Sequence, residues 1–186
     1  MFRLFLRRPQ RLPEAIIIGW AEMILLCFET GECRVFDQDK LPGANLDGLS
    51  LHRAQFDGLD AQAATFIGSD LRNASFIEAD LSAADMRGAT LANALFNRAR
   101  LCNADLSRAL AAFADFSGAD LRGANLTEAD IGGAVFNGSN LCGADLHVCR
   151  IEKAAFLLAM FDDSTRWPAG FDPVAQGAVR RRDEGK

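Results

Sequence analysis

The 186-residue sequence has no tyrosine, only two histidines and five prolines, and no proline between residues 44 and 163. A formal charge of −5 excludes a generally basic surface of the kind that neutralises nucleic-acid phosphates. The five cysteines form no CxxC pair and show no metal-ligand spacing. These absences indicate a cytoplasmic protein with reduced thiols that binds neither a metal nor nucleic acid directly.

Catalytic chemistry also has no candidate residues. No P-loop or dinucleotide fingerprint is present. His52 and His147 lie at opposite ends of the repeat described below and, at coil rises of about 4.8 Å, would be about 24 Å apart. Because no nucleophile, acid or base converges with them, we predict that the protein is not an enzyme and needs no cofactor.

What fills the sequence is a period of five. From Ala44 to Asp163 the chain reads as 24 uninterrupted pentapeptides, with Ala first in 19 of them. The third position is Leu, Phe, Ile or Met in all but two, where Ala61 and Ala111 stand. A period of five fits neither a helix nor a flat strand, so the chain must turn at every unit and bury its first and third residues. Cys149 replaces a first-position Ala and is therefore predicted to be a small core residue.

Phenylalanine sets the size of one coil, because it fills the third position at every twentieth residue. Twenty residues are four pentapeptides, which predicts four sides per coil, about six coils and one core column of stacked rings. The absence of proline leaves every backbone N–H available for bonding between coils. The predicted column consists of Phe56, Phe76, Phe96, Phe116, Phe136 and Phe156.

The pattern A-(D/N)-(L/F)-x-x resembles the pentapeptide-repeat family, as does the segment from Thr165 to Pro173, which matches the T-x-W-P-x-G-F-D-P ending of bacterial members. The resemblance implies an all-β solenoid, the right-handed quadrilateral β-helix. It also implies that Asp and Asn are common at the second position throughout the family, so that their presence need not mark a binding face.

Both ends of a solenoid need covering, since they expose core side chains and unpaired backbone. We therefore expect an N-terminal extension and hydrophobic cap over residues 1–43, the β-helix over 44–163, and a C-terminal cap with a frayed tail over 164–186. Pro13, Glu14 and Gly31 favour a helical N-terminal cap, with a strand pair as the alternative. Trp167 and Phe171 are predicted to pack over Leu157, Leu158 and Phe161.

The first 28 residues leave a membrane alternative open. Four arginines precede an apolar run from Ala15 to Phe28, as in a targeting or anchor segment. The run is short for a bilayer, which takes about 20 residues, and it contains Glu22. A buried cap is therefore the favoured interpretation of this segment.

Two interaction surfaces can be read from the outward positions of the repeat. Apolar residues stand where polar ones are usual, and several share one corner, which predicts a docking patch for a protein or for a second copy of the chain. Its members are Leu95, Leu110, Phe113 and Val135. The repeat also carries 16 acidic and nine basic residues, with Asp60, Asp80 and Asp120 on one side.

The favoured hypothesis is a non-enzymatic scaffold that binds an unidentified protein partner through its surface, with a homodimer as one form. The alternative is taken from the fluoroquinolone-resistance members of the resembled family, whose acidic rods imitate DNA and bind DNA gyrase or topoisomerase IV. In this chain Asp60, Asp80 and Asp120 would form that DNA-mimicking face. The two hypotheses differ in salt dependence, because mimicry should weaken steeply as salt is added.

Overall fold

The repeat forms a β-solenoid whose coils are joined by parallel backbone bridges. The computed structural model describes the backbone of residues 16–20, 23–27 and 33–37 and all of residues 41–181. Asn45 is bridged to Thr65 and Thr65 to Asp85, and the same spacing of 20 residues recurs along the repeat. In each bridge the N–H groups point in opposite directions along the rod: Leu46 donates to Thr65 and Thr65 donates to Ala44, over 2.7 and 2.8 Å. One coil therefore takes four pentapeptides.

Equivalent pentapeptides stack in four columns, which we call sides 1 to 4. Sides 1, 2, 3 and 4 begin in the first coil at Ala44, Leu49, Ala54 and Leu59, respectively. The second residue of a unit makes the bridges and in most units its side chain points outward, whereas most first residues and all the third residues are buried.

Each pentapeptide ends in a tight turn. The N–H of the residue after the turn donates to the third-position carbonyl, as Ala54 does to Leu51 over 3.0 Å. The fifth residue adopts the left-handed conformation, with φ of 62° at Gly48 and 57° at Asn73. Glycine and asparagine tolerate this conformation best, which explains why they recur at that position.

The core is built from side-chain columns that follow the coil spacing. The six phenylalanines of side 3 stack with ring centroids 4.6 to 5.2 Å apart and planes within 9° of parallel. This separation follows from the inter-strand distance of about 4.8 Å between bridged backbones. Two buried first-position serines, Ser69 and Ser139, donate their hydroxyls to backbone carbonyls at 2.6 and 2.8 Å, so their polar atoms are satisfied.

The regular register changes after Leu146. Asp130 is bridged to Cys149, a spacing of 19 rather than 20 residues, and Val148 packs against the core instead. Cys149 is exposed, so its prediction as a core residue was wrong. Arg150 then adopts a left-handed conformation with φ of 57°, and a short 3-10 helix, Ile151–Lys153, brings Ile151 back to the buried third position.

The C-terminal cap covers Phe156, the last ring of the phenylalanine column. Trp167 packs edge-on against Phe156 and Phe161, with centroids 5.4 and 5.7 Å away, and stacks on Phe171 at 5.3 Å. The predicted contact with Phe161 is thus present, while Leu157 and Leu158 are 58% and 61% exposed.

Two short strands extend the ladder at the C-terminal end. Strand β4, Met160–Phe161, pairs in parallel with strand β5, Val179–Arg180. The remainder of the predicted frayed tail, residues 182–186, lies outside the described residues.

The N-terminal segment is β-structure where it is described. Strands β1 (Ile16–Trp20), β2 (Met23–Cys27) and β3 (Cys33–Asp37) form an antiparallel sheet in the order β1-β2-β3. The prediction of a helical cap was therefore wrong for these residues, because Ile- and Val-containing segments of five residues suit strands better than helices. The residues on which the helix prediction rested, Pro13, Glu14 and Gly31, lie outside the described part of the chain. Within that part, no helix has the length and apolar character needed to cross a bilayer.

Candidate interaction surface

Phe113 occupies a left-handed turn position with its side chain in solvent. Its φ is 60°, and its side chain is 65% exposed. Thirteen non-glycine residues of the described chain have positive φ, and Phe113 and Leu158 are the two with bulky apolar side chains. A bulky residue in this region is strained by about 1–2 kcal/mol, and such outliers concentrate at ligand-contacting sites. Phe113 is therefore a candidate residue for contact with another molecule.

The ring of Phe113 lies over a glycine of the next coil. A Cβ built on Gly133 would be 2.5 Å from Cδ1 of Phe113, so only glycine leaves room for the ring in this position. The neighbouring Gly132 makes the same allowance for Arg150, whose Cζ would be 2.6 Å from an added Cβ. The glycine pair thus leaves room for the Phe113 ring and for the Arg150 guanidinium, which is bound by the Asp130 carboxylate.

The other members of the predicted patch lie on the two adjoining sides. Leu110 is on side 2 and is 51% exposed. Leu95, 38% exposed, and Val135, half-buried, belong to one ladder of side 3. Asp115 lies between them in that ladder.

The carboxylate of Asp115 is held by partners on the far edge of side 3. It accepts hydrogen bonds from the Ser117 hydroxyl at 2.5 Å and from Asn97 Nδ2 at 2.8 Å. Partial burial of the carboxyl opposes ionisation, but the hydrogen bonds outweigh it and lower its pKa. Because both partners are in the turn between sides 3 and 4, this charge is directed away from Phe113.

The predicted acidic residues share the ladder of side 4, but most of their charge is matched. Arg100 lies between Asp80 and Asp120 in that ladder and forms an ion pair with Asp80 at 3.5 Å. Arg122 binds both carboxylate oxygens of Asp120, at 2.8 and 2.7 Å. Asp60 accepts the backbone N–H of Gln62 at 3.1 Å.

Three aspartates are each bound by the arginine two residues later, an arrangement that we call the Asp-x-Arg clasp and that the composition did not reveal. In each case the aspartate accepts both the backbone N–H and the guanidinium of the arginine two residues later. The clasp fixes the side chains of a solvated pair and lowers the pKa of each aspartate. For Asp70 and Asp85 the main cause is the hydrogen bond from the arginine side chain. For Asp120 partial burial is the largest influence and raises the pKa, but the hydrogen bonds together outweigh it. The three clasps are Asp70 with Arg72, Asp85 with Arg87, and Asp120 with Arg122.

The two histidines of the repeat and Cys102 lie in separate places along the rod. His52 contacts Asn73, and His147 contacts Asp145 at the other end of the repeat. Burial, ahead of a hydrogen bond to Asp120, raises the pKa of the Cys102 thiol, which disfavours the reactive thiolate. Among residues 41–181 and the three N-terminal strands there is no cluster of side chains suited to a metal ion.

A second apolar surface lies at the C-terminal end and was missed by the sequence analysis. Leu158 donates its N–H to Gly177, a Cβ on Gly177 would be 3.2 Å from Leu157 Cδ1, and Met160 is paired with Val179. The apolar fourth and fifth positions of the unit AAFLL were the available signal, but they were interpreted as contacts of the Trp167 cap. Its exposed members are Leu157, Leu158, Met160, Val174 and Val179.

The geometry of the repeat agrees with a comparison against protein families. Residues 54–91, 84–123 and 119–156 match the family model of pentapeptide repeats, in eight copies. The chain belongs to the pentapeptide-repeat family. A search of curated proteins found no match for this pentapeptide-repeat protein.

Solved structures of other family members resemble the chain. The protein Rfr23 from the cyanobacterium Cyanothece 51142 is 27% identical, over 67% of this chain and 88% of that one, with a TM-score of 0.47. A pentapeptide repeat protein from the Arabidopsis thaliana thylakoid lumen is 32% identical, over 60% and 70%, with a TM-score of 0.31. A trypsin-treated variant of QnrB1, a plasmid-mediated fluoroquinolone resistance protein, is 20% identical, over 78% and 86%, with a TM-score of 0.32.

Proposed function

We propose that this pentapeptide-repeat protein is a non-enzymatic, cytoplasmic scaffold, a right-handed rod of about six coils that binds a protein partner through the patch formed by Leu95, Leu110, Phe113 and Val135. The observation that carries the proposal is the left-handed, 65% exposed Phe113. The ring adds little to the core and its backbone is strained, so contact with another molecule is the use that this geometry favours.

The repeat itself supplies substitutions that test the patch without disturbing the fold. One coil before Leu110 and Phe113, the equivalent positions hold Thr90 and Asn93, and Asn93 has the same left-handed φ, 58°. The double variant Leu110→Thr with Phe113→Asn therefore removes the apolar side chains and keeps residues that the turn accepts. A matched control on side 4 is Asp120→Asn, because Asn140 holds that position one coil later.

The experiment is affinity capture with three baits: the unaltered protein, the double variant and the side 4 control. We expect one or more proteins to be retained by the unaltered bait and by Asp120→Asn but lost from the double variant. Direct binding of each such protein, measured with purified components, should show the same order. Identical capture by all three baits would contradict the proposal.

The second candidate function is regulation of DNA gyrase or topoisomerase IV by DNA mimicry. The observation in its favour is the acidic excess of the repeat, including Asp60, Asp80 and Asp120 in a single ladder. Arg100 and Arg122 reduce the charge density of that ladder, which is why the apolar patch is preferred.

Gyrase supercoiling with purified protein, with and without ciprofloxacin and across a salt series, tests the mimic. Salt-sensitive inhibition or drug protection that disappears in Asp80→Lys with Asp120→Lys would establish it in place of the patch. Unchanged supercoiling at micromolar protein is the result that the scaffold predicts.

A further inference from the structure

Strand β5 is the last rung of the backbone ladder on side 4, and its outer edge is unpaired. On its inner edge the N–H of Val179 donates to the Ala159 carbonyl at 2.8 Å. The Ala178 carbonyl and the Arg180 N–H point to the opposite side, because successive residues of a strand alternate in the direction of their backbone groups. Among the described residues neither group has a hydrogen-bond partner. An open edge of this kind is a template for pairing with another strand.

This edge is also the furthest point of the ladder towards the C-terminal end of the rod. Val179 stacks on Met160 and so adds a rung to side 4. The last bridged residues of the other three sides come earlier in the winding of the coil; they are Arg166 on side 1, Cys149 on side 2 and Ala155 on side 3. A second strand can therefore approach β5 before it meets the ladders of the other sides.

The outward side chains at this edge are apolar. Met160 and Val179 are 40% and 47% exposed and belong to the second apolar surface described above. The three preceding residues of the same ladder are polar, namely Arg100, Asp120 and Asn140. The character of side 4 thus changes at the point where its ladder is open, which is where a partner strand would cover apolar side chains.

The charges at this end of side 4 balance. Residues 159–163 and 178–181 together contain two aspartates and two arginines, and Arg180 forms an ion pair with Asp163. The repeat as a whole has 16 acidic and nine basic residues, so two copies repel each other when they lie side by side. The end of side 4 is a surface on which two copies can meet without this repulsion.

From the unpaired edge, its apolar face and its balanced charge, we propose that β5 pairs antiparallel with β5 of a second copy, so that two rods join end to end about a two-fold axis beside Val179. The Arg180 N–H of each copy then donates to the Ala178 carbonyl of the other, which satisfies the open groups of both strands. The two Val179 residues form the closely spaced pair between these bonds, with Cα atoms about 4.5 Å apart. No hydrogen bond within either rod is given up.

A second copy fits this edge better than an unrelated strand. Antiparallel pairing about a two-fold axis needs a donor and an acceptor on either side of one residue, and Arg180 and Ala178 are so placed about Val179. A second copy therefore brings both matching groups together with the apolar side chain that covers Val179. Because only the end of the rod is buried, the interface is below the standard size of about 1,600 Å², and we expect a monomer–dimer equilibrium at micromolar concentration.

Sedimentation velocity on the full-length protein over a concentration series tests the pairing. Arg180→Pro removes the open donor and should weaken dimerisation about tenfold or more, because both symmetric hydrogen bonds are lost. Proline is accepted in an edge strand where the N–H faces solvent. The matched control is Arg180→Ala, which loses the same ion pair with Asp163 but keeps the N–H, and it should dimerise like the unaltered protein.

Charge exchange at the two-fold axis tests the symmetry. Val179→Asp and Val179→Lys should each be monomeric, because like charges directly opposite each other destabilise a strand pair. Mixing the two variants should restore a dimer. This recovery also excludes misfolding as the reason that either variant is monomeric alone.

A cross-link provides a second test of the axis. Val179→Cys should form a disulfide-linked dimer on oxidation, because a Cα separation of about 4.5 Å lies within the range of a disulfide. Val174→Cys is the control, since Val174 is exposed at the same end of the rod but does not lie on the axis. It should cross-link no more than the unaltered protein does.

Several results would overturn the inference. They are a monomer at every concentration, a dimer that survives Arg180→Pro, a dimer lost equally in Arg180→Ala, and charge variants that do not associate when mixed. Self-association abolished by Phe113→Asn would place the second copy on the surface patch and would also overturn it. The inference does not rest on the proposed function: Phe113→Asn should leave the dimer intact, and Arg180→Pro should leave partner capture by the patch intact.

Discussion

Phe113 and Phe116 are three residues apart and lie in opposite environments. Phe116 is fully buried between two parallel rings, with centroids 4.8 and 4.9 Å away. Phe113 is 65% exposed and strained at a turn. The difference shows that position within the pentapeptide, rather than residue type, determines what a phenylalanine does in this fold.

The largest expected change in stability comes from removing the buried ring of Phe116. Phe116→Ala should lower the free energy of unfolding by about 3–5 kcal/mol, because it leaves a cavity in a column that cannot close without moving two coils. Urea denaturation followed by circular dichroism measures the change, and Phe113→Asn is the surface control. A loss below about 1 kcal/mol would show that neighbouring rings fill the space.

A second prediction concerns the glycine beneath Phe113. Gly133→Ala should destabilise the protein by about 1–2 kcal/mol, because φ is +78° and the new Cβ would be 2.5 Å from the ring. Gly138→Ala is the matched control, since its φ is +66° and nothing lies within 4 Å of its Cβ. The control should cost less, because it carries the backbone penalty alone.

The ring accounts for the difference if the two costs become equal in a Phe113→Asn background. This double-mutant cycle separates the steric contact from the left-handed backbone. If Gly133→Ala remains costlier than Gly138→Ala after the ring is removed, the close contact is not the cause.

The distinction between inward and outward positions also determines how much of the structure can be predicted from the sequence alone. Period five and the phenylalanine at every twentieth residue predict the repeat, its coil length and its core, because inward positions admit few residue types. The exposed face is not determined this way: the pairing of Arg122 with Asp120 depends on rotamers that the period does not specify. The register shift at Cys149 was not predicted, because every residue from Asp145 to Ile151 can be aligned to the five-residue pattern without a gap.

The N-terminal error has a different cause. The apolar run from Ala15 to Phe28 contains both helix and strand formers, and its short length does not separate a buried helix from paired strands. Pairing of β1 with β2 and β2 with β3 resolves it, and pairing is a property of tertiary structure. The residues of the surface patch and the acidic face could be identified from the sequence. The contact of the Phe113 ring with Gly133 could be identified only from the three-dimensional structure.

The exterior should respond to acid in a way that the core does not. Hydrogen bonds from arginine lower the pKa values of Asp70, Asp85 and Asp130 from the usual value of an aspartate. A depressed carboxyl pKa stabilises the fold above the pKa of the unfolded chain, and this contribution is lost as pH falls through the folded-state pKa. The urea midpoint should therefore stay level from neutral pH to about 5 and fall below about pH 4, modestly because these pairs are solvated.

The Asp85 clasp supplies the control for this acid dependence. Arg87→Gln should lower the midpoint slightly at neutral pH and reduce its fall in acid, while Phe116→Ala should change the midpoint without altering the shape of its pH profile. An Arg87→Gln profile parallel to that of the unaltered protein would show that this clasp contributes nothing to stability.

The smallest predicted effect decides what Phe113 is for. Phe113→Asn should raise the free energy of unfolding by about 0.5 kcal/mol, because asparagine accepts the left-handed conformation better than phenylalanine does. Asn73 and Asn93 adopt that conformation at the same position in earlier coils. Thermal and urea unfolding would detect the gain. A loss of about 1 kcal/mol or more would mean that the ring stabilises the turn through its contact with Gly133, beyond the cost of its strained backbone. Phe113 would then be explained by folding, whereas a gain in stability combined with a loss of partner binding leaves recognition as its role.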